Sequence, residues 1–200
     1  MKRTVLIIFA LLLTVCVNAQ REEGDVTIQP RVGLNLSTMN DYNKTKPGYA
    51  FGMEMEYQMT DMLSLSAALM YSDQGAKDDE DGIEEVLDID FVNLPIMLNC
   101  YVLPGLALKA GVQPAFRTKT TVRFDGKKYD VDWLLERAGY GDSKMSKVMF
   151  SIPVGLSYEY RNFVLDARYN IGVTDFLKGE GTMRNHVFQL TLGYKFDIQL

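Results

Sequence analysis

Phe163, Leu165, Ala167, Tyr169, Ile171 and Val173 put an apolar side chain at every second position. The residues between them, Val164, Asp166, Arg168, Asn170, Gly172 and Thr174, are mainly polar or small. Period-two alternation marks a β-strand with two unlike faces. It recurs in eight segments, 28–38, 48–58, 63–72, 87–101, 106–117, 148–160, 163–173 and 186–196. In the second, Tyr49, Phe51, Met53, Met55 and Tyr57 oppose Ala50, Gly52, Glu54, Glu56 and Gln58. The fourth is irregular: Leu87, Ile89 and Phe91 share one phase, and Leu94, Ile96, Leu98 and Cys100 the other. A one-residue slip sends every side chain to the opposite face. The pattern therefore predicts Leu87, Ile89 and Phe91 facing outward and a β-bulge near Phe91–Pro95.

The connections alternate in length. Met59–Met62, Val102–Gly105 and Arg161–Asn162 are tight, whereas 39–47, 73–86, 118–147 and 175–185 are long. Together these features predict an all-β fold, an eight-stranded antiparallel up-and-down transmembrane β-barrel with short periplasmic turns and long external loops. With the first strand running outward, Tyr57, Tyr101, Tyr158, Tyr160, Phe163, Tyr194 and Phe196 fall at the periplasmic rim. Tyr49, Phe51, Tyr71, Phe116, Phe150 and Phe188 fall near the outer rim, so two aromatic girdles emerge.

A soluble barrel also alternates, with its apolar face inward, but its solvated face should be dense in Lys and Glu. Here the polar face is mostly Gly, Ala, Ser, Asn and Gln, with few and nearly balanced charges. Arg31, Lys109, Arg117, Arg168 and Lys195 stand against Glu54, Glu56, Glu159 and Asp166. Such a set suits a narrow lumen, where an unpaired charge is costly. Eight strands leave an interior that side chains fill. These nine residues form a candidate lumen charge network, read as a structural plug, with a narrow ion path as the alternative.

The N-terminus adds a compartment. Lys2 and Arg3, the apolar run Val5–Leu13 and the small-residue site Val17-Asn18-Ala19 make residues 1–19 a secretory signal peptide. Residues 20–200 then form one outer-membrane barrel domain. Its single cysteine, Cys100, excludes an internal disulfide. The net charge of −5 forms no basic stripe, so nucleic acid is not an expected partner. Outer-membrane lipid and lipopolysaccharide are the expected surroundings.

The chain resembles the PorT-like outer-membrane β-barrel proteins, often described as porin-family proteins, over essentially its whole mature length. The resemblance rests on Gly33-Leu34-Asn35-Leu36-Ser37, Lys46-Pro47-Gly48-Tyr49, and Leu69-Met70-Tyr71-Ser72-Asp73-Gln74-Gly75-Ala76-Lys77. It continues through Val92-Asn93-Leu94-Pro95-Ile96, Leu165-Asp166-Ala167-Arg168-Tyr169-Asn170 and Phe188-Gln189-Leu190-Thr191-Leu192-Gly193-Tyr194-Lys195-Phe196. It implies an eight-stranded outer-membrane barrel, and for some relatives a part in protein secretion. It supplies no catalytic residues. The last strand resembles the signal read by the barrel-assembly machinery, with Phe196 as its aromatic, although the chain continues to Leu200.

Catalysis is not expected. The single histidine, His186, reads as a rim residue, and the alternative of an outer-rim enzyme would need Ser143 or Asp142 beside it. No cofactor is implied. The second external loop is acidic, with Asp73, Asp78, Asp79, Glu80, Asp81, Glu84, Glu85, Asp88 and Asp90, and is either a solvated loop or a divalent-cation site. The third is basic and about thirty residues long, a length that suggests function. Within it Trp133, Leu134 and Leu135 form a candidate partner-docking turn, or else fold down over the barrel mouth. The expected function is a non-enzymatic outer-membrane scaffold whose external loops bind another macromolecule, for example as a secretion accessory. The alternative is a narrow porin-like channel for ions or small solutes.

Overall fold

A computed structural model describes residues 22–40, 44–80, 83–124, 127–130, 146–175 and 184–198. The strands are β1 (Val26–Met39), β2 (Lys46–Thr60), β3 (Leu63–Glu80), β4 (Ile83–Asn93), β5 (Ile96–Leu103), β6 (Leu106–Phe124), β7 (Lys127–Asp130), β8 (Val148–Tyr160), β9 (Phe163–Gly172), β10 (Asn185–Tyr194) and β11 (Phe196–Ile198). They make eight staves, because β4 continues into β5 and β10 into β11. β7 is a short hairpin return along β6. All neighbours are antiparallel. The sheet closes where β1 pairs with both β10 and β11, from Met39↔Asn185 down to Val26↔Ile198. The fold is thus a closed eight-stranded antiparallel barrel.

Alternation decides which face goes where. Val32, Leu34, Phe51, Met53, Leu65, Leu98, Leu108, Ile152, Leu165 and Leu190 point outward and are exposed. Gln29, Arg31, Asn35, Glu54, Ser64, Asn99, Lys109, Asp166 and Gln189 point inward and are buried. A surface this apolar is stable only against lipid. At the outer rim Tyr49, Phe51 and Tyr71 pack with ring centroids 5.3–6.3 Å apart. At the periplasmic rim Phe163, Tyr194 and Phe196 do so at 4.8–5.0 Å.

The fourth stave departs from the sequence expectation. Leu87, Ile89 and Phe91 point inward and are buried, in one unbroken phase with Asn93, Met97 and Asn99. Pairing crosses the Leu94–Pro95 break without slipping: Met70↔Asn93 gives way to Ala67↔Ile96, and Asn93↔Ala115 to Ile96↔Val112. The bulge lies instead on β6. Its partner jumps from Arg117 to Lys119 between Phe91 and Asp90, leaving Thr118 as the extra residue. The Thr118 hydroxyl donates to the Asp90 carbonyl at 3.0 Å.

The physical reason is the end of the bilayer. A spanning strand needs about 9–11 residues, whereas β3 has 18 and β6 has 19. Above the outer girdle the outside of the barrel is wet, so apolar side chains turn in and charged ones turn out. Leu87, Ile89 and Phe91 join Met39, Ala76, Ala115 and Met149 in an apolar cap across the outer lumen, with Val122 against it. Segments 73–86 and 118–130 are therefore largely paired sheet, not loop. β3 and β4 run as a ribbon to Glu80↔Ile83, and β6 and β7 return at Phe124↔Lys127.

Candidate functional site

The lower lumen holds a dense network of charge. Strand parity on β1, β2, β6 and β9 aims Arg31, Glu54, Lys109, Asp166 and Arg168 at the axis, where all five are buried. Asp166 receives Arg31 Nη2 at 2.9 Å, Lys109 Nζ at 2.9 Å and Arg168 Nε at 2.8 Å. Glu54 pairs with Arg31, with Lys109 at 3.3 Å and with Arg168 at 3.6 Å. Gly155 makes room for this crowding, since a Cβ there would stand 2.8 Å from Arg168 Cβ.

A second cluster closes the periplasmic mouth. Lys195 Nζ lies 2.9 Å from Glu56 and 2.7 Å from Glu159. It also donates to the Tyr101 hydroxyl at 3.0 Å, which in turn donates to Glu56 at 2.6 Å. Three cations face two carboxylates in the first cluster and one cation faces two in the second, so their excess charges cancel. Tyr101 was expected at the aromatic rim but turns inward. The signal was present, since Tyr101 shares its phase with Asn99 and opposes the outward Leu98 and Cys100. Arg117 sits higher, beside the β6 bulge, where Nη1 donates to Thr120 at 2.7 Å. Of the nine expected lumen charges, eight thus meet in two adjoining clusters, and Arg117 stands apart at the cap.

Above the charges lies a layer of amides and hydroxyls. Gln189 donates to Asn35 at 2.9 Å, Asn93 to Ser72 at 2.6 Å and Asn185 to Gln74 at 2.6 Å. The apolar cap follows. Among the described residues, inward side chains stand at each of these levels, from Lys195 at the periplasmic mouth to Met39 at the outer rim.

Outside the barrel, just above the outer girdle, the ribbon carries a mixed-charge surface that sequence reading missed as a structural unit. Lys46, nearly fully buried, pairs with Asp73 and with Asp88 at 3.0 Å, and donates to the Gln74 carbonyl at 3.1 Å. Gly75, at φ +137°, lets the Lys46 side chain lie across the ribbon. Arg123 Nη2 lies 2.7 Å from Asp88. Burial raises the Asp73 carboxyl above its ordinary value; Lys46 opposes the shift, and Asp88 and Asp90 add to it. Tyr49, Asp73, Asp88, Asp90, Lys119 and Arg123 border an open depression of about 480 Å³. Among the described residues, no group of three His, Cys, Asp or Glu side chains is placed to hold a metal ion.

His186 is partly exposed at the outer rim and stacks on Tyr169 with centroids 6.1 Å apart. Asp142 and Ser143, which only the enzyme alternative would set beside it, lie outside the described residues, as do Trp133, Leu134 and Leu135 and the leader at 1–19.

A family model described as outer membrane protein beta-barrel domain matches residues 18–178. Among solved structures, the attachment invasion locus protein Ail of Yersinia pestis is similar, with 16% identity and a TM-score of 0.56 over 87% of this chain and 99% of that chain. A second Ail structure, in complex with the heparin analogue sucrose octasulfate, gives 15% and 0.54 over 87% and 99%. Neisserial surface protein A gives 12% identity and a TM-score of 0.56 over 87% of this chain and 100% of that chain. At such identities the likeness is one of fold. None of the curated proteins matches the sequence.

Proposed function

Because this chain belongs to the outer membrane protein beta-barrel domain family, we propose that it is a non-enzymatic, non-conducting envelope component whose outer projections dock another macromolecule. The observation that carries this reading is the contrast between the two ends of the molecule. Among the described residues the lumen is filled by two charge clusters, an amide layer and an apolar cap, as suits the narrow interior of eight strands. The staves β3, β4 and β6, in contrast, run well past what a bilayer needs and present charges of both signs.

Trp133, Leu134 and Leu135, next in the chain after β7, supply the aromatic and aliphatic anchors a docking surface uses. In the most concrete version, which rests on the resemblance to PorT-like proteins, the partner belongs to a secretion apparatus. The leader at 1–19 would be removed on export, the barrel-assembly machinery would insert the barrel, and lipopolysaccharide would surround its outer rim.

The test couples capture to conductance. The intact protein is cross-linked in cells and purified beside a Trp133→Ser, Leu134→Ser variant that still shifts on heating in gels. A specific envelope protein retained by the parent and lost by the variant is the expected result. Discrete ion conductance of the purified parent in planar bilayers would overturn the reading in favour of a channel.

A further inference from the structure

Between the charged lower lumen and the apolar cap lies a small cavity of about 20 Å³. Phe91, Ala115 and Met149 of the cap border it on one side, and Asn93, Asn170 and Asn185 on the other. These asparagines come from β4, β9 and β10, so they reach the cavity from different parts of the wall. Each is more than nine-tenths buried, and the side-chain oxygen of each has no hydrogen-bond donor in the protein. Asn93 Nδ2 donates to Ser72 Oγ and Asn185 Nδ2 to Gln74 Oε1, both at 2.6 Å. Turning the Asn185 amide round would set its oxygen against Gln74 Oε1, while Gln74 Nε2 is held by Ser72 Oγ at 2.7 Å.

A buried acceptor left unmet is costly, and three such residues lining one void call for a donor within it. A water molecule needs roughly 10–15 Å³ by this kind of measure and two to four polar partners. The cavity meets both conditions. We infer that it is a built hydration site, holding one internal water that donates to two of the three asparagine oxygens and ties β4 to β9 and β10 beneath the cap.

A cation suits the site less well. No carboxylate borders the cavity, and the Arg168 guanidinium stands two residues from Asn170 on the same inward face. The neutral amides would have to strip a cation of its shell beside that positive charge. A water molecule fits without such a cost, because its own hydrogens supply the missing donors. The site would extend the polar seal by meeting two of the three asparagine oxygens just beneath the level where the apolar side chains begin.

The test uses the folded full barrel in deuterated micelles with its methionine methyl groups isotopically labelled. Cross-relaxation from a long-lived water to the Met149 methyl is expected in the parent. Ala115→Val adds methyl groups toward the cavity and should abolish the signal while the barrel still shifts on heating in gels. Ala115→Ser, which adds little bulk, keeps the experiment open should the valine variant fail to fold; it should retain the signal. A crystal structure should show a peak about 2.7–3.2 Å from at least two of the three oxygens. A parent without the water signal would overturn the inference. So would a signal undiminished in folded Ala115→Val, or a peak whose occupancy follows sodium concentration.

Discussion

Asp166 is fully buried and is approached by Arg31, Lys109 and Arg168, leaving Glu54 as the other carboxylate among the three. Asp166→Asn keeps the shape and removes the charge, so three cations would then crowd one carboxylate out of reach of water. Breaking a buried pair from one side costs roughly 3–5 kcal/mol, and a loss of that order is expected in the free energy of unfolding from urea titration of the barrel in lipid vesicles. Asp175→Asn is the control. Its partner Arg184 lies 3.3 Å away with both side chains about 40% exposed, and an exposed pair is worth about 0–1 kcal/mol. Equal losses for the two variants would show that the lumen charges do not act as a network. Parity alone identified these residues, because alternation assigns a face without reference to contacts. The same parity places Tyr101 inward beside Asn99, but an aromatic residue near a strand end also fits a lipid girdle, and that residue-type expectation overrode the phase. The choice between the two depends on the phase of the whole stave.

That phase is what makes β4 the most informative element. Its apolar residues lie in opposite phases below and above Pro95, and within a bilayer such a change can only mean a slipped strand. The change is instead one of surroundings: below the girdle the exterior is lipid and above it water, so one unslipped strand shows apolar-out and then apolar-in. Single cysteines in a Cys100→Ser background distinguish the two descriptions. Asp90→Cys should react with a membrane-impermeant thiol reagent on intact cells, and Phe91→Cys should be protected. The reverse pattern would restore the slipped strand. Elsewhere the strands were legible to within a few residues, and β8 matches at both ends, because lipid on one side and a crowded lumen on the other impose a regular pattern. The outer extensions of β3, β4 and β6 were not legible. Both faces there meet water or a small core, the alternation weakens, and acidic or basic runs read as loops although the backbone remains paired.

At the scale of the whole molecule, one alternative had to be separated from the membrane barrel: a soluble barrel of the same strand number turned inside out. The positions of the charges decide it. Eight of the nine expected lumen charges are enclosed in compensated clusters, while the broad exterior band is apolar and rimmed by aromatics at both ends. Family membership agrees with that arrangement, and the low identity to Ail and to Neisserial surface protein A means the agreement concerns the fold, not the sequences of the outer strands. The consequence for stability is a gradient that a soluble barrel would not show. Leu98, exposed and flanked by Leu65 and Ala110 midway up the wall, should tolerate Leu98→Arg poorly, at a cost of roughly 2–4 kcal/mol in a bilayer. Thr121→Arg, on the projecting sheet beside Asp88, should cost almost nothing, because that surface is already wet and charged. The fraction of each variant that folds into vesicles, read from the heat-sensitive gel band, measures the difference. If both arginines were tolerated alike, the apolar band would not face lipid, and the charges inside would need another explanation than a membrane-spanning seal.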